Sequence, residues 1–386
     1  MTTLAASHRG TMILVALAAA TVVAVGMGMI SSILVPVLLT LVLTICAHPV
    51  RVALERWGFP HGLATGSVVL VVFLFLAGFV VALVIAFTQF VGMLPQYAGQ
   101  LADLGSKIGE WLGKLGIGQD QIQALLKGID PNSIVDFATG LFGGLFNVTT
   151  SLIVVLTMLI LMAADAMYVP TILRQLLGTH QELVVSLAAY ASNVRRYMVV
   201  TTMLGIVQGA LNTVALVIMG VPAAVLWGLL AFLCSFIPNV GYFLAIIPPI
   251  VFGFFVGGWP TVIGVIITYA VINGVVQSII QPKVVGNAVA LSQSLTFLSV
   301  LFWAVVFGPM GAILAIPLTL LARAILVDSD PDARKWRPAI GDIAEARRLI
   351  MQDDAAAKAV RRARRRAREA GASLEAQPSE DRASTG

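Results

Sequence analysis

Charge is what this 386-residue chain has least of. Asp, Glu, Lys and Arg make up 11% of it, against about 25% in a soluble globular chain. Acids are scarcest in the second half. Between Glu182 and Asp328 there is none, and the only charged residues there are Arg195, Arg196, Lys283 and Arg323. Proton or sodium coupling usually rests on a carboxylate inside the membrane, and Asp165, near the end of an apolar stretch, is the sole candidate for that role. The two cysteines, Cys46 and Cys234, both sit in apolar runs, so they imply no disulfide framework. His8, His48, His61 and His180 fall outside the expected spans, and neither HExxH nor GxSxG occurs. The expectation is therefore no enzyme, no catalytic residues, no metal and no cofactor.

Apolar residues are what is abundant, at 59%, with a mean hydropathy of +0.95. They recur in runs along most of the chain with Gly and Pro between them, which excludes a soluble enzyme, a disordered chain and a single-anchor protein. The fold class is an all-α polytopic membrane protein. Two runs, 11–27 and 29–46, form an opening hairpin. Arg9 precedes the first, but a second apolar run follows at once, which fits a membrane hairpin better than a cleaved signal peptide. A loop from His48 to His61 leads to a third span over 62–89. These parts make an N-terminal unit over 1–91.

Residues 92–145 interrupt the pattern with five acidic and three basic residues. Leu101, Leu104, Ile108, Trp111, Leu112 and Leu115 keep helical spacing, which predicts an amphipathic helix in an insert outside the membrane. A membrane core over 146–327 follows, with a span at 146–166, a linker, a span at 198–219, and apolar arms at 223–236, 242–257, 261–280 and 295–327. Basic residues weight the N-terminus, the 48–61 loop, the linker and the tail. The positive-inside rule then puts both termini in the cytoplasm and the insert outside. The tail, 328–386, holds thirteen of the 24 Lys and Arg, and the basic pI of about 9.4 describes it rather than the membrane body. Its composition favours helix up to about Ala370, with a disordered end. Its cluster from Arg361 to Arg368 suits anionic lipid at about 1 kcal/mol per charge. No groove-reading or stacking element accompanies it, so no nucleic acid is expected.

Two apolar stretches are broken in similar words. One runs Phe236-Ile237-Pro238-Asn239-Val240-Gly241 through Leu244-Ala245-Ile246 to Pro248. The other runs Val306-Phe307-Gly308-Pro309-Met310-Gly311 through Leu314-Ala315-Ile316 to Pro317. Pro removes a backbone donor and Gly frees the dihedrals, so both sites should be unwound turns. Arms of 14–16 residues reach about 21–24 Å, short of the roughly 30 Å hydrocarbon core. That length fits re-entrant hairpins, one from each side of the membrane, as in inverted-repeat transporters. Pro-kinked crossing helices are the other reading, since two short crossings return the chain to the side it left.

Amides line up beside these breaks. Asn273, Gln277 and Gln281 are spaced four apart, and Gln208 and Asn212 repeat the spacing on the preceding span. Such a face, offering donors and acceptors without charge, suits a small polar uncharged solute. The same amides can equally tie helices together, at about 0.6–2 kcal/mol each. The expected solute path is Pro238, Asn239, Gly241, Asn273, Gln277, Gln281, Gly308, Pro309 and Gly311, flanked by the helix-face amides Gln208 and Asn212.

The chain resembles the autoinducer-2 exporter (AI-2E) family of bacterial membrane proteins. The residues that carry the resemblance are Ala47-His48-Pro49-Val50 with Leu54-Glu55-Arg56, Arg196-Tyr197, Gly220-Val221-Pro222, Phe236 to Gly241, Gln281-Pro282-Lys283-Val284-Val285-Gly286, and Gly308 to Gly311 with Ala315-Ile316-Pro317. Similarity covers roughly 10–327. It implies about eight membrane segments, two of the helical hairpins broken, a large insert between spans three and four, homo-oligomers, and a place in the bacterial inner membrane. It also implies export of a small polar solute such as autoinducer-2, a quorum-sensing molecule. Sodium/proton antiport, which some members resemble, and an oligomeric channel or scaffold are the alternatives. The family commonly has Glu where Gln281 stands here, a departure that weakens cation coupling more than membership.

Overall fold

The computed structural model describes residues 2–114, 152–280, 291–337, 350–352 and 358. The rest of the insert, the Gln281–Gly286 motif and the Arg361–Arg368 cluster lie outside the described residues, within which there is no strand. The helices are α1 (Thr2–Met29), α2 (Ser31–Arg56), α3 (His61–Lys114), α4 (Leu152–Asp165), α5 (Val169–Leu176), α6 (Gln181–Ile218), α7 (Ala224–Cys234), α8 (Gly241–Gly274) and α9 (Gln293–Arg323). A π turn, Val275–Ile280, prolongs α8, and another, Ala324–Asp328, prolongs α9. Six helices are long and apolar enough to cross a membrane, and the α4–α5 pair, bent by 57°, makes a seventh span if counted as one. α7, at eleven residues, is apolar but shorter than a span.

Three boundaries differ from expectation. α2 runs through Pro49 to Arg56 instead of ending near residue 46. A proline cannot donate to the carbonyl four residues back, which here belongs to Ile45. That carbonyl instead accepts from Arg195 Nε at 3.1 Å, so a distant residue repairs the break. α3 continues without interruption from the apolar stretch into the insert, as far as Lys114. α6 begins at Gln181, well before the apolar stretch that marked it. In both, helical hydrogen bonding outlasts the apolar signal.

α8 and α9 are not straight rods. Trp303 Nε1 donates to Thr319 Oγ1 at 3.0 Å, although sixteen residues of continuous helix would set them about 24 Å apart. α9 therefore folds back on itself. The turn is at Gly308, with φ 67° and ψ −153°, a conformation essentially confined to glycine. α8 does the same at Gly258, with φ 61° and ψ −152°. A methyl placed on Gly253 would meet Thr261 Cγ2 at 3.3 Å and Val265 Cγ2 at 3.5 Å across that turn. Each helix is thus two antiparallel arms.

α6 and α7 pack through small residues. A Cβ on Gly209 would stand 2.7 Å from the Gly228 carbonyl oxygen, and one on Gly228 would stand 1.7 Å from Thr213 Oγ1. Backbone approach of this kind is how apolar helices associate where lipid competes for every greasy face. Two apolar clusters flank the crossing. One joins Val42 and Tyr190 to Phe232, Phe236, Trp303, Phe307 and Leu314. The other joins Phe87 and Phe90 to Leu216, Trp227, Phe252 and Val265. In the second, Phe90 packs edge-on to Trp227 with centroids 5.0 Å apart.

Candidate functional site: a buried polar seam between α6 and α8

The two sequence breaks have matching backbone. A Cβ on Gly241 would sit 1.8 Å from the Cys234 carbonyl oxygen, and one on Gly311 would sit 1.9 Å from that of Trp303. Both glycines are buried, and each lets its own arm pass against the end of the arm before it. Residues after them are buried alike: Ala245 and Ile246 in one, Ala315 and Ile316 in the other. Within the first break, Asn239 is exposed at φ 64°, a left-handed position that asparagine tolerates. Pro238 and Gly308 are half-buried and Pro309 is exposed. Phe236, Ile237 and Val240 of one break share an apolar cluster with Phe307 and Ala312 of the other.

Beside these turns, α6 and the second arm of α8 meet through polar side chains. Gln208 Nε2 donates to Asn273 Oδ1 at 3.2 Å. Further along, a Cβ on Gly264 would lie 3.1 Å from Met219 Sδ. These two points fix an antiparallel register. One turn beyond Gln208 on α6 is Asn212, and one turn before Asn273 on α8 is Tyr269, so this register sets the two residues at the same level. Asn212 is 0% exposed and Tyr269 1%. Asn212 Oδ1, Asn212 Nδ2 and the Tyr269 hydroxyl have no hydrogen-bond partner among the described residues. Each such atom costs about 1–3 kcal/mol when left unmade.

The seam extends past the Gln208–Asn273 pair, away from Asn212 and Tyr269. Tyr197 and Thr201, both 3% exposed, continue the Gln208–Asn212 face toward the start of α6, at spacings that keep all four side chains on one side of the helix. Gln277, half-buried in the π turn, continues the α8 side. Gln281 falls outside the described residues. Asp165 does not join this group, being exposed at the bend between α4 and α5. No group of three or more His, Cys, Asp or Glu suited to a metal occurs among the described residues.

Sequence reasoning found Gln208, Asn212, Asn273 and Gln277 but missed Tyr197, Thr201 and Tyr269. The signal was available. Tyr269 precedes Asn273 at the same four-residue spacing, and Thr201 follows Tyr197 in the same way. The larger cavity, about 540 Å³ and lined by His61, Gly62, Leu156 and Met167 among others, lies between α3 and α4, away from the seam.

A helical, multi-pass body with folded-back arms and a buried uncharged seam defines a polytopic integral membrane protein. The chain belongs to the AI-2E family of transporters, whose family model matches residues 11–329. It is similar to the AI-2 transport protein TqsA of Escherichia coli K12, at 28% identity over 317 residues, which covers 82% of this chain and 92% of TqsA. The YhhT protein of the same strain is 29% identical over 314 residues, 81% of this chain and 90% of YhhT. A Haemophilus influenzae transport-protein relative is 30% identical over 344 residues, 86% of this chain and 96% of its own length. Family and relatives together mark this chain as a multi-pass membrane transport protein.

Proposed function

We propose that the chain exports a small, polar, uncharged solute along the seam between α6 and the second arm of α8. The observation that carries this reading is the burial of Asn212 and Tyr269 at one level of the two helices, with three polar atoms unmatched among the described residues. A neutral solute offering both a donor and an acceptor satisfies them without bringing a charge into the membrane, which would be costly. The Gln208–Asn273 bond bridges the seam partway along, and exchanging that bond for a solute gives a path that opens in steps. TqsA's name supplies the leading candidate, an autoinducer-2-like molecule.

On this reading the α7–α8 and α9 hairpins are re-entrant. α7 spans eleven residues, about 17 Å of helix against roughly 30 Å of hydrocarbon. Bare turn backbone at that depth must face protein or water, and the clustering of Phe236, Val240, Phe307 and Ala312 supplies the protein. Pro238, Asn239, Gly241, Gly308, Pro309 and Gly311 then flank the path, Gln277 and Gln281 extend it, both termini lie in the cytoplasm, and Arg361–Arg368 rests on anionic lipid. The protein works as a homo-oligomer. Sodium/proton exchange gains nothing from Asp165, which is exposed and apart from the seam.

Purified protein in liposomes tests the proposal by comparing autoinducer-2 flux with sodium/proton exchange. Asn212→Leu, and Asn273→Ala with Gln277→Leu, should each cut solute flux by about tenfold or more, the loss of one buried hydrogen bond or more, while assembly is kept. Unchanged flux in both variants removes the seam from the path.

A further inference from the structure

A second polar pocket lies far from the seam, where the end of α2 meets the start of α3. Thr44, His48 and Arg51 share one face of α2, and Thr65 of α3 stands across from them. Aliphatic side chains of α3 and α4, among them Val68, Leu159 and Ala163, close the remaining walls. The space inside is about 30 Å³, enough for one or two water-sized particles and no more.

Its donors lack acceptors. Arg51 is 8% exposed, and among the described residues neither its Nε nor the hydroxyls of Thr44 and Thr65 has a hydrogen-bond partner. The nearby carboxylate is Glu55, whose Oε1 lies 3.4 Å from Arg51 Nε. The same oxygen is 2.7 Å from His61 Nδ1, so Glu55 is shared. A second guanidinium, Arg195, is held on the Ile45 carbonyl one turn from His48. One guanidinium lines the cavity beside two hydroxyls, a second is held nearby, and the carboxylate next to Arg51 is shared with His61.

We infer that this cavity binds a small monovalent anion of halide size, held by Arg51, Thr44 and Thr65. The ion balances the excess guanidinium charge and gives three orphaned donors one acceptor. It also adds to the Glu55–His61 link between α2 and α3. The small volume sets the selectivity: chloride or bromide fits, and sulfate does not.

The test uses the full-length protein in nonionic detergent at fixed ionic strength, with gluconate replaced stepwise by chloride, bromide or sulfate. The thermal unfolding midpoint should rise saturably with chloride and bromide and stay flat with sulfate. The Thr44→Val, Thr65→Val double variant should weaken the halide response by about tenfold or more, since two charge-assisted hydrogen bonds are lost. Arg51→Gln should abolish it. The threonine pair decides the matter if Arg51→Gln does not fold. Absence of a halide-specific rise in the unaltered protein overturns the inference and leaves water as the occupant. An equal rise in the threonine double variant overturns it too.

Discussion

The first three helices and the last one are built on different terms. None of the most apolar stretch of α1 is buried within the chain, and the figures for α2 and α3 are 17% and 11%. For the span Gln293–Asp328 the figure is 56%. Glycines divide the same way. A Cβ on Gly10, Gly26, Gly62, Gly66 or Gly78 would meet nothing within 4 Å, whereas at Gly205, Gly228, Gly241 and Gly311 it would strike a neighbour at under 2.5 Å. In lipid an uncovered apolar face costs little, because hydrocarbon tails are as greasy as leucine. The N-terminal helices can therefore remain loosely covered, while the C-terminal half is held by close backbone approach and paired amides.

That contrast can be broken most severely at the folded-back turns. Gly241→Ala or Gly311→Ala should abolish the folded protein, because the methyl would overlap a backbone carbonyl that cannot move aside. Fluorescence-detected size-exclusion in detergent would register the loss. The next effect in size concerns the α6–α8 bond. Gln208→Leu leaves half-buried Asn273 without its partner and should cost about 1 kcal/mol, read as a lower thermal midpoint. Adding Asn273→Leu should recover part of that loss, as coupled neighbours do.

An effect of similar size is expected where the chain leaves α9. Asp328 is buried and accepts from Arg323 Nε at 3.3 Å and Arg337 Nε at 2.7 Å. Arg334 Nε donates to the Asp328 carbonyl at 3.0 Å and pairs with Glu182 at the start of α6. The first residues of the tail are thus latched to the body instead of leaving it at Asp328. Arg337→Ala should lower stability by about 1 kcal/mol or somewhat more, since Arg323 still holds the carboxylate, and should quicken proteolysis near residue 337. The smallest effect belongs to the loose half. Gly78→Ala in α3 should be neutral or stabilising by up to about 1 kcal/mol, since it adds helix propensity and meets no neighbour. A marked destabilisation there would mean that α3 is as tightly covered as α9.

How much of this was readable beforehand depends on how local each cause is. The apolar arms, the break at Gly308 and the likeness of Gly241 to Gly311 follow from hydropathy and from Pro and Gly spacing, which act within a few residues. The course of α2 through Pro49 was not readable, because the donor that repairs it, Arg195, lies 150 residues away. The Gln208–Asn273 bond joins residues 65 apart, so spacing identified both amides but not that they meet. Tyr269 was passed over because a tyrosine in an apolar run reads as packing, and only its burial without a partner marks it out. Gly258 lay in the gap between two predicted arms, yet its likeness to Gly308 rests on dihedral angles that no residue pattern announces.

The central claim is that Asn212 and Tyr269 line a route that water and solute enter. In protein with Cys46 and Cys234 replaced by serine and alanine, single cysteines at 212 and 269 should react with a membrane-impermeant thiol reagent in liposomes, and solute should slow the reaction. Cysteines at Leu216 and Val265, one turn deeper on the same two helices, should stay unreactive. If positions 212 and 269 prove as inert as 216 and 265, with or without solute, the seam is packing and the transport route lies elsewhere.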